Sequence, residues 1–191
     1  VERAMYLTAA GRLFAAGHNS AGITTLATSW FLAEGATGSF FDLFILLANP
    51  TTTATTVEIT YLLQGAAPVT RQYALPAQSR RTVFVDGEPG LGNVATSAIV
   101  RSLVPTVPIA VERAMYRSGG GQVFSLGHDA SAVAQPATTW MFAEGATGAF
   151  FDTYLLLANP SSQPALVDVE YLRDVNGPVT VTYPFSLMPA E

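Results

Sequence analysis

Phe40-Phe41-Asp42-Leu43-Phe44-Ile45-Leu46-Leu47-Ala48-Asn49-Pro50 is the stretch on which the fold turns. Its apolar run is strand-sized, and no run in the chain approaches the roughly 18 residues of a membrane helix. Every position from Leu43 to Leu47 is apolar, so the strand is either central in its sheet or covered by a neighbour on its second face. Asn49-Pro50 ends it, because proline has no N–H to give to a ladder. The stretch then returns, with changes, as Phe150-Phe151-Asp152-Thr153-Tyr154-Leu155-Leu156-Leu157-Ala158-Asn159-Pro160.

The offset of 110 holds over much of the chain. Val1-Glu2-Arg3-Ala4-Met5-Tyr6 recurs unchanged as Val111-Glu112-Arg113-Ala114-Met115-Tyr116, and Trp30 recurs as Trp140. Aligned without gaps, residues 1–73 and 111–183 agree at 34 of 73 positions, which is tandem duplication. The second copy has no counterpart of residues 80–110. This register predicts a closing hairpin of a preceding or neighbouring repeat at 1–16, a linker at 17–27 and a complete β-sandwich at 28–127. A second linker follows at 128–137, then the opening strands of an incomplete repeat at 138–191. The chain reads as a processed product or a window of something longer.

Short Val, Ile, Thr, Phe and Tyr runs between Gly, Pro, Asn and Asp predict strands at 28–34, 40–48, 55–63, 69–75, 81–86, 96–103 and 108–116. One more follows the repeated motif, at 12–15 and again at 122–126, with Ala9-Ala10-Gly11 or Gly119-Gly120-Gly121 as the hairpin turn. Val57, Ile59, Tyr61 and Leu63 alternate with Thr56, Glu58, Thr60 and Leu62, as a half-buried strand should. No stretch carries a capped helical stripe. Seven or eight strands in about 100 residues predict an all-β chain of tandem immunoglobulin-like antiparallel β-sandwich domains.

Composition narrows the function. The 191 residues carry a net charge of −5, nine arginines, no lysine and no cysteine. An acidic chain without basic clusters is a poor partner for nucleic acid. Schiff-base lysines, lysine isopeptide cross-links, disulfides, thiolate catalysis and cysteine-ligated zinc are all excluded. Charged residues make up only 12%, about half the roughly 25% of ordinary soluble domains, and mean hydropathy is +0.32. Such a surface calls for neighbouring copies or partners to cover part of it.

Trp30-Phe31-Leu32-Ala33-Glu34-Gly35, Leu46-Leu47-Ala48-Asn49-Pro50, Gly17-His18-Asn19-Ser20 and Val111 to Tyr116 together resemble a repeat module of large bacterial secreted and cell-surface proteins. The second copy carries Trp140-Met141-Phe142-Ala143-Glu144-Gly145 and Gly127-His128-Asp129. The resemblance covers essentially the whole chain. It implies immunoglobulin-type sandwiches strung in tandem and an extracellular or surface location. The family has no assigned activity, so the resemblance implies no catalytic chemistry.

The residues that could carry chemistry have simpler structural readings. His18 and His128 lack the ligands of a metal site. Asp42 and Asp152 follow Phe-Phe pairs, and Asp86 with Glu88 is the densest acidic loop, yet no calcium-loop spacing exists. No metal or other cofactor is expected. Glu34, Glu112 and Glu144 recur with Arg113 and read as structural ion pairs, Glu34 with Arg113 first. Repeated glutamates in separate domains stand too far apart to flank a glycosidic bond. Trp30, Trp140, Tyr6 and Tyr116 read as core or inter-repeat aromatics, or as a surface for a glycan or other surface ligand. The Thr51 to Thr56 run reads as a turn, or as an O-glycan carrier. The leading expectation is a non-enzymatic stalk or filament segment whose partners are further copies or adjacent repeats. Val1, Glu2, Arg3, Ala4, Met5 and Tyr6 would serve as its assembly strand. An adhesin-like or carbohydrate-binding module is the alternative.

Overall fold

The structure is a computed structural model that describes residues 1–9, 11–119, 122–173 and 177–187. Ala10, Gly120 and Gly121 of the two expected hairpin turns lie outside the described residues. The elements are β1 (Glu2–Ala9), β2 (Arg12–Ala21), β3 (Ser29–Leu32), β4 (Phe41–Asn49), β5 (Thr55–Leu63), β6 (Val69–Leu75) and β7 (Ser79–Phe84). A 3-10 turn at Val85–Gly87 precedes β8 (Thr96–Ser102), β9 (Ala110–Gly119), β10 (Gln122–Ser131), β11 (Ala165–Tyr171) and β12 (Val179–Leu187).

Every ladder is antiparallel. Two four-stranded sheets, in the orders β10-β9-β4-β7 and β3-β8-β5-β6, face each other as a β-sandwich. The alternation in β5 puts Val57, Ile59 and Tyr61 inside, opposite Leu43, Ile45 and Leu47 of β4, and all six are fully buried or nearly so. Trp30, Leu75, Val100, Ile109 and Val111 complete the core. β4 is indeed central, flanked by β9 and β7, and its second face is apolar for another reason. Phe44 stacks there on Phe84, with ring centroids 5.0 Å apart, and lies edge-on to Tyr116.

β2 and β10 run further than the sequence suggests, through Ala21 and Ser131, into the stretches expected as linkers. Gly17 and Gly127 lie within these longer strands. Each lies opposite a tyrosine, Tyr6 or Tyr116, whose ring occupies the space of the missing side chain. A Cβ on Gly17 would meet the Tyr6 ring at 2.7 Å, and one on Gly127 would meet Tyr116 at 2.4 Å. Beyond β10, Val133 exchanges both backbone hydrogen bonds with Phe31, so this segment also joins the sandwich at the edge of β3.

The second copy folds only in part. β11 and β12, the counterparts of β5 and β6, form a hairpin. The expected opening strands at 138–160, counterparts of β3 and β4, have no ladder among the described residues. In copy one those strands are held by β7, β8 and β9, and among the described residues no such strands lie against residues 138–160. Trp140 is accordingly 54% exposed where Trp30 is 3% exposed.

Candidate functional site: two equivalent Arg–His pairs

The two copies of the repeated motif form the same hairpin. Met5 pairs with His18 in β1–β2, and Met115 pairs with His128 in β9–β10. Phe14 and Phe124 share a left-handed φ of 54°, and each ring packs on its hairpin's tyrosine at 5.0 Å. The hairpins place one arginine and one histidine side by side: Arg3 with His18, and Arg113 with His128. Each pair takes carboxylates, from different sources.

Arg113 is 4% exposed on the inner face of β9. Its guanidinium donates to the Glu34 carboxylate and, at 3.1 Å, to the Glu34 carbonyl. It thereby ties the turn after β3 to β9, and the structure brings together the two residues whose recurrence suggested pairing. His128 Nδ1 lies 3.2 Å from an Arg113 Nη that can only donate, so Nδ1 accepts and carries no proton. Partial burial, and then the neighbouring Arg113 charge, holds His128 below its ordinary value.

Arg3 and His18 reach across to the second hairpin. Arg3 donates to Glu112 at 2.7 Å and also to the Asp129 carboxylate, whose side chain has no exposed area. His18 Nδ1 lies 2.8 Å from the other Asp129 oxygen, where only a donor fits a carboxylate. Its Nε2 meets the Tyr116 hydroxyl at 2.9 Å. The Tyr116 hydroxyl is pushed up by burial and, to a lesser degree, by the Asp129 charge, so it stays protonated. Equivalent histidines thus differ: Nδ1 accepts in His128 and donates in His18.

Behind this latch an open cavity of about 810 Å³ separates the first hairpin from the outer face of β4. Met5, Tyr6 and Leu7 line one wall, and Phe44, Leu46 and Ala48 the other. The docking of β1–β2 therefore rests heavily on polar contacts. Both nitrogens of His18 are already committed to protein groups, so neither is positioned to take a proton from a substrate.

The other candidates have local roles. Asp86 accepts from the backbone N–H of Gly38 at 3.1 Å and of Leu43 at 2.8 Å, while Glu88 pairs with Arg71 at 3.4 Å. Asp42 accepts from the Ser118 hydroxyl. Asn49 is buried: its oxygen takes the N–H and hydroxyl of Thr51, and its amide donates to the carbonyls of Thr53 and Pro76. The threonine run is thereby folded into a turn. Trp30 donates to the carbonyls of Ala27 and Ile109 from within the core, whereas Tyr6 is exposed. Glu144 is exposed and has no ion pair among the described residues. Asp129, the residue that joins the two hairpins, stands in the sequence only as the neighbour of His128 in the Gly127-His128-Asp129 motif. Its only signal is that copy one has Asn19 in its place.

No protein-family model matches the chain, and no curated protein does. Among solved structures, a crystal structure titled Thermotoga maritima 1070 superposes with a TM-score of 0.52 at 14% identity, over 59% of this chain and 97% of its own. The Anabaena sensory rhodopsin transducer superposes with a TM-score of 0.40 at 22% identity, over 48% of this chain and 91% of its own. The first likeness concerns the fold alone. The chain is similar to β-rich proteins and is itself all-β and sandwich-like.

Proposed function

We propose that this chain is a non-enzymatic structural segment of a bacterial extracellular or cell-surface protein. Its tandem immunoglobulin-like sandwiches would stack end to end into a stalk or filament. The observation that carries this reading is the seating of one repeat's closing hairpin on the next. Arg3 and His18 of copy one engage Glu112, Asp129 and Tyr116 of copy two. The contact joins hairpins of two successive repeats, and in a tandem array each added repeat adds length.

Small-angle scattering on proteins with one, two and three 110-residue units tests it. A stalk gives a constant cross-section and a maximum dimension that grows by equal steps. A maximum dimension that barely grows, with the cross-section thickening instead, would overturn the stalk.

A further inference from the structure

We propose that residues 132–134 form a strap that closes the side of the sandwich between β10 and β3, and that a proton taken up by His128 releases it. The strap is the passage of the chain from the first copy to the second, so its release loosens the joint between successive repeats. That consequence rests on the scaffold reading; the release itself does not.

β10 is an edge strand of one sheet and β3 an edge strand of the other. The chain leaving β10 crosses from the first to the second. Ala132 is buried, and its N–H donates to the carbonyl of Val111 in β9 at 3.1 Å. Val133 then exchanges hydrogen bonds of 2.8 and 3.0 Å with Phe31 of β3, and Ala134 packs against the core. The pairing with β3 is an isolated bridge. A lone bridge at a sheet edge belongs to the low-stability end of a fold, which opens well before the whole.

Three side chains make a second tie across the same side. Glu34, just beyond β3, holds Arg113 of β9, and Arg113 donates to His128 Nδ1 of β10 at 3.2 Å. His128 Nε2 stands 3.9 Å from the other Glu34 oxygen. This arrangement needs a bare Nδ1. A proton there turns the acceptor into a donor facing the Arg113 N–H, and the contact breaks. A hollow of about 200 Å³ beside the ring, lined by Phe41, Met115, Arg117 and Leu126, gives it room to turn. The imidazolium then competes with Arg113 for the single Glu34 carboxylate, and the strain falls on the end of β3 that carries the bridge.

The surrounding charges set the direction. Arg113 and Arg117 of β9 and His18 of β2 oppose a proton on His128, while Glu34 after β3 and Asp129 of β10 favour one. Partial burial and Arg113 prevail, and the ring is held below 6.5. The strap is therefore fully closed above the ordinary histidine value and is released as pH falls from there toward the folded value.

The test is amide exchange, followed by NMR on the full 191-residue chain at about pH 8 and about pH 5, with each amide scaled by its intrinsic rate at that pH. In the wild type, Phe31 and Val133 should exchange far faster than the amides of β4 and β5, and their protection should fall several-fold at the lower pH. In His128→Gln, whose side-chain oxygen offers Arg113 a neutral acceptor, their protection should be equal at both pH values and match that of the wild type at the higher one. Phe31 and Val133 as protected as β4 and β5 would mean that the strap opens only when the whole sandwich does, and would overturn the proposal. So would wild-type protection that ignores pH, the same fall in His128→Gln, or a His128→Gln strap unprotected at both pH values, which would make the packing of the ring, rather than its charge, the tie. The scattering test of the stalk does not depend on any of these results.

Discussion

At the scale of the residue, the molecule turns on where a few carboxylates lie relative to two arginines. Arg113 is buried, and its Nε has no partner among the described residues, so its charge depends on Glu34. Glu34→Ala strands that charge and should cost about 3 kcal/mol in chemical denaturation. Arg113→Met, which removes the charge and keeps the bulk, should cost roughly 1 kcal/mol. The double variant should fall short of the summed losses by about 1–2 kcal/mol, and strictly additive losses would show that the pair is uncoupled. His128 adds a pH dependence. Glu34 and Asp129 favour its charged form, but burial, Arg113 and His18 outweigh them and its value falls below 6.5. The unfolded chain then binds this proton more readily than the folded chain does. Stability is intact above the ordinary histidine value and is lost as pH drops from there toward the folded value. Relative to His128→Gln, the wild type should therefore lose stability between about pH 8 and about pH 5. Parallel curves for the two proteins would contradict this. The Glu34–Arg113 pairing was legible because both charges recur in a chain so poor in charge. The Asp129 contact was not, because Asn19 breaks the recurrence at the one position that matters.

At the scale of the element, strands and turns were largely legible because β4 and β5 state their burial in their alternation. The ends of β2 and β10 were not. A glycine covered by a cross-strand tyrosine has the same letter as a glycine in a turn, and only the pairing separates them. The ladder partners of 138–160 were equally hidden, since a strand-like sequence does not say whether a partner is at hand. The docked hairpin β1–β2 is itself a separable element. Its latch rests on Arg3, which is partly exposed, and on a His18–Asp129 pair, and an open cavity lies behind. Arg3→Ala combined with His18→Ala should leave melting of the sandwich within about 0.5 kcal/mol of wild type. The same variant should make β1–β2 exchange its amide protons and be cut by protease several-fold faster. Unchanged protection of β1–β2 would mean that apolar contact, rather than the latch, holds it.

At the scale of the whole molecule, one sequence unit appears in two conditions. With β7 to β10 in place it is a buried, two-sheet sandwich; at 138–187 it is a hairpin and a segment without a ladder among the described residues, with Trp140, Phe151 and Tyr154 exposed. The central claim is that this difference comes from the closing strands alone. It is tested most directly by appending a second copy of residues 80–131 after position 189, the point the offset of 110 prescribes, and following amide exchange. The account predicts that 151–159 becomes as protected as β4 and that a second cooperative unfolding unit appears. Continued rapid exchange at 151–159 in that extended chain would contradict it.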